Sequence, residues 1–99
     1  MTTKLVWDEG KRQGNIAKHG LDFADAFLVL DSLYRLDIAA VRNGEERTQS
    51  LSYVFGKLAV LLVVHVDRKE EVRVISFRPA SQVETEAYHE WLEYDFEEP

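Results

Sequence analysis

The chain has no cysteine among its 99 residues. That excludes a disulfide framework and any thiolate metal site, and it is the usage expected of a protein in a reducing cytoplasm. Two prolines and five glycines leave no Gly- or Pro-rich linker and no low-complexity segment. The longest apolar run, Leu58 to Val64, is seven residues, against the roughly 20 a membrane-spanning helix needs. The first residues, Met1-Thr2-Thr3-Lys4, lead into a strand pattern without the apolar stretch of a secretion signal. There is no Gly-rich phosphate loop and no Ser/His/Asp arrangement. His19, His65 and His89 stand at no metal-ligand spacing. Nucleotide hydrolysis, covalent catalysis and a bound metal therefore have no support from motifs.

What is there suffices for one domain over residues 1–99. Apolar residues make up 45% and charged residues 30%, a globular composition at a length that can enclose a core. The net charge of −6 argues against a nucleic-acid partner until its distribution is considered. Residues 84–99 hold seven carboxylates and no Lys or Arg, whereas residues 1–83 hold twelve basic and eleven acidic side chains. The acidity belongs to one terminal segment, and the rest can carry a local basic patch.

The pattern predicts α+β architecture in the order β-α-α-β-β-β-α, with an antiparallel sheet packed on helices. Residues 4–7 read as a strand. Asp8 reads as the N-cap of a helix over Glu9–His19 that Gly20 ends in the left-handed conformation. Leu21 and Asp22 start a second helix, whose stripe is Phe23, Ala26, Phe27 and Leu30. Residues 33–41 remain open between strand and loop, and Asn43-Gly44 is a hairpin signal. Strands follow over 46–55, 58–66 and 72–78. The second is apolar on both faces, which marks a central strand. Ser81 and Glu84 form a capping box for a last helix with a stripe of Val83, Ala87, Trp91 and Tyr94, widened by Tyr88 and Leu92. Trp7 and Trp91 read as core, and residues 95–99 as a frayed, acidic tail.

The residues that suggest chemistry are arginines. Arg47 opens one strand, Arg68 lies in a turn, and Arg73 and Arg78 lie on the last strand. A guanidinium presents a planar fork of donors that matches a phosphate and keeps its charge. Strict alternation puts Arg78 with Ser76 on one face and Arg73 with Ile75 on the other. All four converge only if a bulge or the sheet's twist turns one of them. The competing account is that each arginine pairs with a nearby carboxylate, drawn from Glu45, Glu46, Asp67, Glu70 and Glu71. His65 is either a general acid–base or a strand-end histidine bonded to backbone. Tyr88 is either a proton donor or a core tyrosine. Glu46 is either a base or an exposed partner of a cation. His19 suits the negative end of its helix. Lys18 is either functional or solvated.

Several ordered motifs resemble one family. Trp7-Asp8-x-x-Lys11, Asn15-x-x-Lys18-His19-Gly20-x-x-Phe23-x-x-Ala26, Gly44-Glu45-Glu46-Arg47, Val72-Arg73-Val74-Ile75-Ser76-Phe77-Arg78-x-Ala80 and the pair Glu84 and Tyr88 are similar to the signature of the BrnT toxins of bacterial type II toxin–antitoxin systems. The resemblance spans residues 5–88. It implies a RelE-like fold, metal-independent RNA cleavage without a cofactor, translation inhibition in the cytoplasm, and neutralisation by a BrnA-like antitoxin. Operator DNA would be reached only through that antitoxin, and a homodimer is compatible with it. By position, Arg68 and Arg78 are the implied phosphate clamps, with His65 near them as a catalytic candidate. Arg47, Arg73, Lys18 and Tyr88 follow as substrate-binding candidates. The last helix departs from the family in being acidic, with Thr85, Glu86 and Ala87 where basic character is usual. That departure motivates an alternative function, a non-enzymatic protein that binds an antitoxin-type DNA-binding partner. It also motivates an autoinhibitory role for Asp95, Glu97 and Glu98.

Overall fold

The computed structural model describes residues 3–97, with side chains through Tyr94. Its elements are β1 (Lys4–Val6), α1 (Glu9–His19), a 3-10 turn (Phe23–Asp25), α2 (Phe27–Leu30), β2 (Leu36–Arg42), β3 (Glu45–Val54), β4 (Ala59–Asp67), β5 (Glu71–Pro79) and α3 (Gln82–Glu97). The class is α+β as expected, but the sheet has five strands, in the order β1-β5-β4-β3-β2. The fifth is β2, formed by the residues whose pattern left strand and loop open. The sheet is also mixed: β1 pairs parallel to β5, while the other three pairings are antiparallel. The helices carry the chain from β1, at one edge beside β5, to β2 at the opposite edge, where the antiparallel run begins and works back to β5.

The chain's local signals act where the sequence places them. Asp8 accepts from the backbone N–H of Lys11, and Gly20 closes α1 at φ 69°. Asn43 and Gly44 both have positive φ, which matches the twist a two-residue hairpin needs between β2 and β3. Ser81 Oγ accepts from the Glu84 N–H while Glu84 accepts from the Ser81 N–H, the reciprocal capping box. The doubly apolar β4 is the central strand.

Each face of the sheet carries a core. Leu61, Val63, Val74 and Phe77 meet Leu21, Phe23, Ala26 and Val29 on one face. Leu51, Val60 and Leu62 meet Tyr88, Trp91 and Leu92 of α3 on the other. Two expected stripes need correction. The segment after Asp22 is a 3-10 turn and a four-residue helix, and its buried residues are Phe23, Ala26 and Val29. Their spacing of three is the 3-10 period, and it leaves Phe27 exposed. In α3, Val83 and Tyr94 are exposed, and the sheet is met by Tyr88, Trp91 and Leu92. Ser81 and the Arg78–Glu84 pair fix the rotation of the first turn, and that rotation turns Val83 outward. The backbone of α3 is helical to Glu97. The fraying expected of the last residues, and the proposed role of Asp95, Glu97 and Glu98, lie outside the described side chains.

Asn15 is a structural residue that composition does not announce. β1 covers β5 only from Glu71 to Arg73, so the rest of that edge needs another partner. The buried Asn15 amide supplies it. Its Nδ2 donates to the carbonyls of Phe77 (2.7 Å) and Leu21 (2.9 Å), and its Oδ1 accepts from the Phe77 N–H (3.2 Å). One side chain thereby imitates a sixth strand for one residue and ties α1 to the sheet.

Candidate RNA-binding groove

The pairing of β4 with β5 slips by one residue. Val64 faces Ser76, His65 faces Val74, and Ile75 has no partner of its own. This is a β-bulge, and it decides where the arginines go. Before the slip, Arg78 pairs with Leu62; after it, Arg73 pairs with Val66. Leu62 and Val66 share a face of the regularly alternating β4, so Arg73 and Arg78 share it too. On β3, Arg47 sits two residues from Gln49 and four from Leu51, on that same face. Arg42, paired with Glu45 in the β2–β3 register, joins them.

The result is a groove of ≈ 360 Å³ lined by Arg42, Arg47, Gln49, Ile75, Ser76 and Arg78, among others. Two of its arginines are held by carboxylates. Arg78 makes a bidentate pair with Glu84, at 2.8 and 2.9 Å, and Arg47 Nε donates to Glu45 at 2.9 Å. Arg42 has no hydrogen-bond or ion-pair partner among the described residues. Arg73 lies further along the same face. Arg68 sits exposed in the β4–β5 turn, with its backbone N–H on the Glu71 carbonyl, and does not line the groove.

The Arg78 guanidinium holds the Glu84 carboxyl down at about 2, from an ordinary 4.5, and Arg78 itself is pushed up. Arg12 does the same to Asp22, which is held at about 2 from 3.8. Both folded values lie below the unfolded ones. The stabilisation is therefore complete above about pH 4.5 and is lost as pH falls through about 2. We expect the urea midpoint to fall on acidification across this window, and to fall less steeply in Glu84→Gln. Equal slopes in the two proteins would contradict the assignment.

The other sequence candidates lie elsewhere. His65 is fully buried on the opposite face of β4, with 0% exposure. Its Nδ1 meets Asp67 at 2.6 Å and its Nε2 meets Ser50 Oγ at 2.7 Å. Ser50 also reaches Asp37 at 2.6 Å, and Asp37 takes two bonds from Arg35. Burial pushes the Asp37 carboxyl up, but the Arg35 and Ser50 bonds outweigh it and hold it below its ordinary value. The chain Arg35–Asp37–Ser50–His65–Asp67 clasps β2, β3 and β4 together. Both ring nitrogens of His65 are occupied within it. The Tyr88 hydroxyl donates to the Tyr34 carbonyl at 2.7 Å from a buried ring, so it latches α3 to the segment before β2. Lys18 is exposed in the last turn of α1, outside the groove lining. Glu46 pairs with Val41 in the register and faces away from Arg47. Arg42 escaped sequence reasoning, although Asn43-Gly44 located the hairpin that faces it toward Arg47.

In this small α+β domain the sheet gathers guanidinium groups around an open groove, an arrangement whose donors match the geometry of a phosphate backbone. The family follows from comparison: residues 7–84 match the model of the ribonuclease toxin BrnT of type II toxin–antitoxin systems, and the chain belongs to that family. Membership brings an RNA target and an antitoxin partner. A search of curated proteins found no match. Among the described residues, no helix is long and apolar enough to cross a membrane.

Proposed function

We propose that this chain cleaves RNA in the arginine groove of the β2–β5 face, by a metal-independent reaction that stops translation in the cytoplasm. The observation that carries the proposal is the one-residue slip at Val64/His65, which sets Arg73 and Arg78 on the face that already holds Arg42 and Arg47. A helical pair followed by an antiparallel run also supports the RelE-like class.

In the reaction, the ribose 2′-oxygen forms a bond to the adjacent phosphorus and the bond to the 5′-oxygen breaks. A 2′,3′-cyclic phosphate and a 5′-hydroxyl result. Charge builds on the non-bridging oxygens, and fixed cations aimed there lower the barrier. Arg42 is ready for that contact. Arg78 and Arg47 must exchange a carboxylate for the phosphate. Once Arg78 turns to the substrate, Glu84 loses the partner that depresses its proton affinity and becomes the base placed to take the 2′-hydroxyl proton. Solvent protonates the leaving 5′-oxygen. Arg73 and Arg68 lie along the track of the flanking backbone and contribute to binding. His65 acts only by holding the strands.

A second reading has a specific observation behind it. Glu84 and Glu45 already occupy the forks of Arg78 and Arg47, which suits a chain that binds an antitoxin, and operator DNA through it, without cutting RNA. Incubating the purified chain with a defined RNA in EDTA separates the two. New cyclic-phosphate ends are expected, and His65→Gln, once folded, is expected to retain them. Intact RNA both with and without divalent cations would favour the non-cleaving reading.

A further inference from the structure

A second groove lies on the same face of the sheet, at the other end of α3. It is larger, ≈ 610 Å³, and is lined by Leu33, Tyr34, Tyr53, Phe55, Tyr88 and Leu92, together with the polar Ser32 and His89. Its floor is the buried Tyr88, and its walls stand out into solvent. Leu33 is 89% exposed and Phe55 83%. Tyr53 and Phe55 pack edge to face, with ring centroids 5.3 Å apart, which pre-orders the wall. An apolar concavity of this kind on a small domain marks a site for a partner.

The charge around it selects among partners. On α3, Glu86, His89 and Glu93 recur at i, i+3 and i+7 and form one stripe beside the groove. Glu86 and Glu93 are exposed, as is Glu90, and the helix carries no Lys or Arg to offset them. This rim repels a phosphate backbone, so RNA is a poor occupant. A second copy of the chain is also disfavoured. A two-fold contact places a patch against itself, and here it would set one acidic stripe against another. The complement is a polypeptide segment with two or three apolar side chains on one face and Lys or Arg beside them.

We infer that this groove is the anchor site of the antitoxin, which enters it with an apolar segment flanked by basic residues. The inference rests on family membership for the existence of the antitoxin, and not on the cleavage reading. It also assigns a purpose to the acidic last helix. Its carboxylates face the protein partner, while the arginines of the sheet beside its first turn, Arg78 on β5 foremost, face RNA.

The test uses the full chain and its purified type II antitoxin, with affinity measured by calorimetry at two salt concentrations. Leu33→Ser/Phe55→Ser changes only exposed side chains and is expected to weaken binding about 100-fold, as loss of a buried anchor does. Glu86→Lys/Glu93→Lys is expected to weaken it about tenfold and to flatten its salt dependence. Arg42→Ala is expected to leave antitoxin affinity unchanged whatever it does to RNA cleavage, so the two claims fail separately. Wild-type affinity in both groove variants overturns the inference. So does sedimentation of the free wild-type chain as a dimer that Leu33→Ser/Phe55→Ser converts to monomer without loss of antitoxin binding. The groove would then be a self-association face.

Discussion

The double variant Arg42→Ala/Arg78→Gln loses RNA cleavage by about ten-thousandfold or more, measured as the single-turnover rate on a defined oligonucleotide, because fixed donors on a developing oxyanion are each worth roughly two to three orders of magnitude. The substitutions are chosen to spare the fold. Arg42 has no partner to orphan among the described residues. Glutamine at 78 keeps an amide donor for Glu84, which otherwise loses its bidentate partner. Expressed alone, the variant no longer arrests growth, and its thermal transition falls modestly with the loss of the Arg78–Glu84 pair but stays cooperative. Arg68→Ala and Arg73→Ala weaken RNA binding by several-fold and reduce its salt dependence, as loss of a phosphate contact does. A double variant that still cuts near the wild-type rate would remove the groove from the mechanism.

The second large effect falls on stability. Asn15→Ala leaves the Phe77 N–H and the Phe77 and Leu21 carbonyls without their partner inside the protein. Three buried backbone bonds at about 1 kcal/mol each, with the added cost of orphaned groups, give a loss of about 3–4 kcal/mol. For a domain of this size that corresponds to a fall in Tm of roughly 15–25 °C. Asn15→Asp restores the acceptor for the Phe77 N–H but sets a carboxylate against two carbonyls, so it recovers little. Thermal unfolding by circular dichroism measures both. A shift of only a few degrees in Asn15→Ala would show that the β5 edge does not depend on this side chain.

The parts of the fold that were legible in the sequence are those written in local chemistry. Asp8, Gly20, Asn43-Gly44 and the Ser81/Glu84 box each act within a few residues of themselves, and each boundary they imply is present. The family motifs were legible for the same reason: they are strings of side chains in order. What the sequence did not disclose is set by partners far along the chain. β2 alternates weakly because both of its faces are largely exposed, and β1 runs parallel to a strand 67 residues away. His65 looked available because it ends an apolar strand. Ser50 and Asp37, which enclose it, come from two other strands. Arg47 and Arg78 read both as phosphate ligands and as members of ion pairs; Arg47 takes Glu45, one of the carboxylates the sequence offered, but Arg78 takes Glu84 from the last helix, which was not among them. Arg42 gained its place only through the hairpin register.

The slip on β5 means that this strand must be counted in two frames. Residues 71–74 alternate in one phase and 76–79 in the other, and Ile75 is the step between them. Arginines at an odd spacing of five positions therefore act as if the spacing were even. Removing a single residue near position 75 would reverse the orientation of everything on one side of the cut, and would separate two cations without altering either. The charge on this surface is thus encoded partly as a length, and a one-residue deletion there is a more severe change than most substitutions.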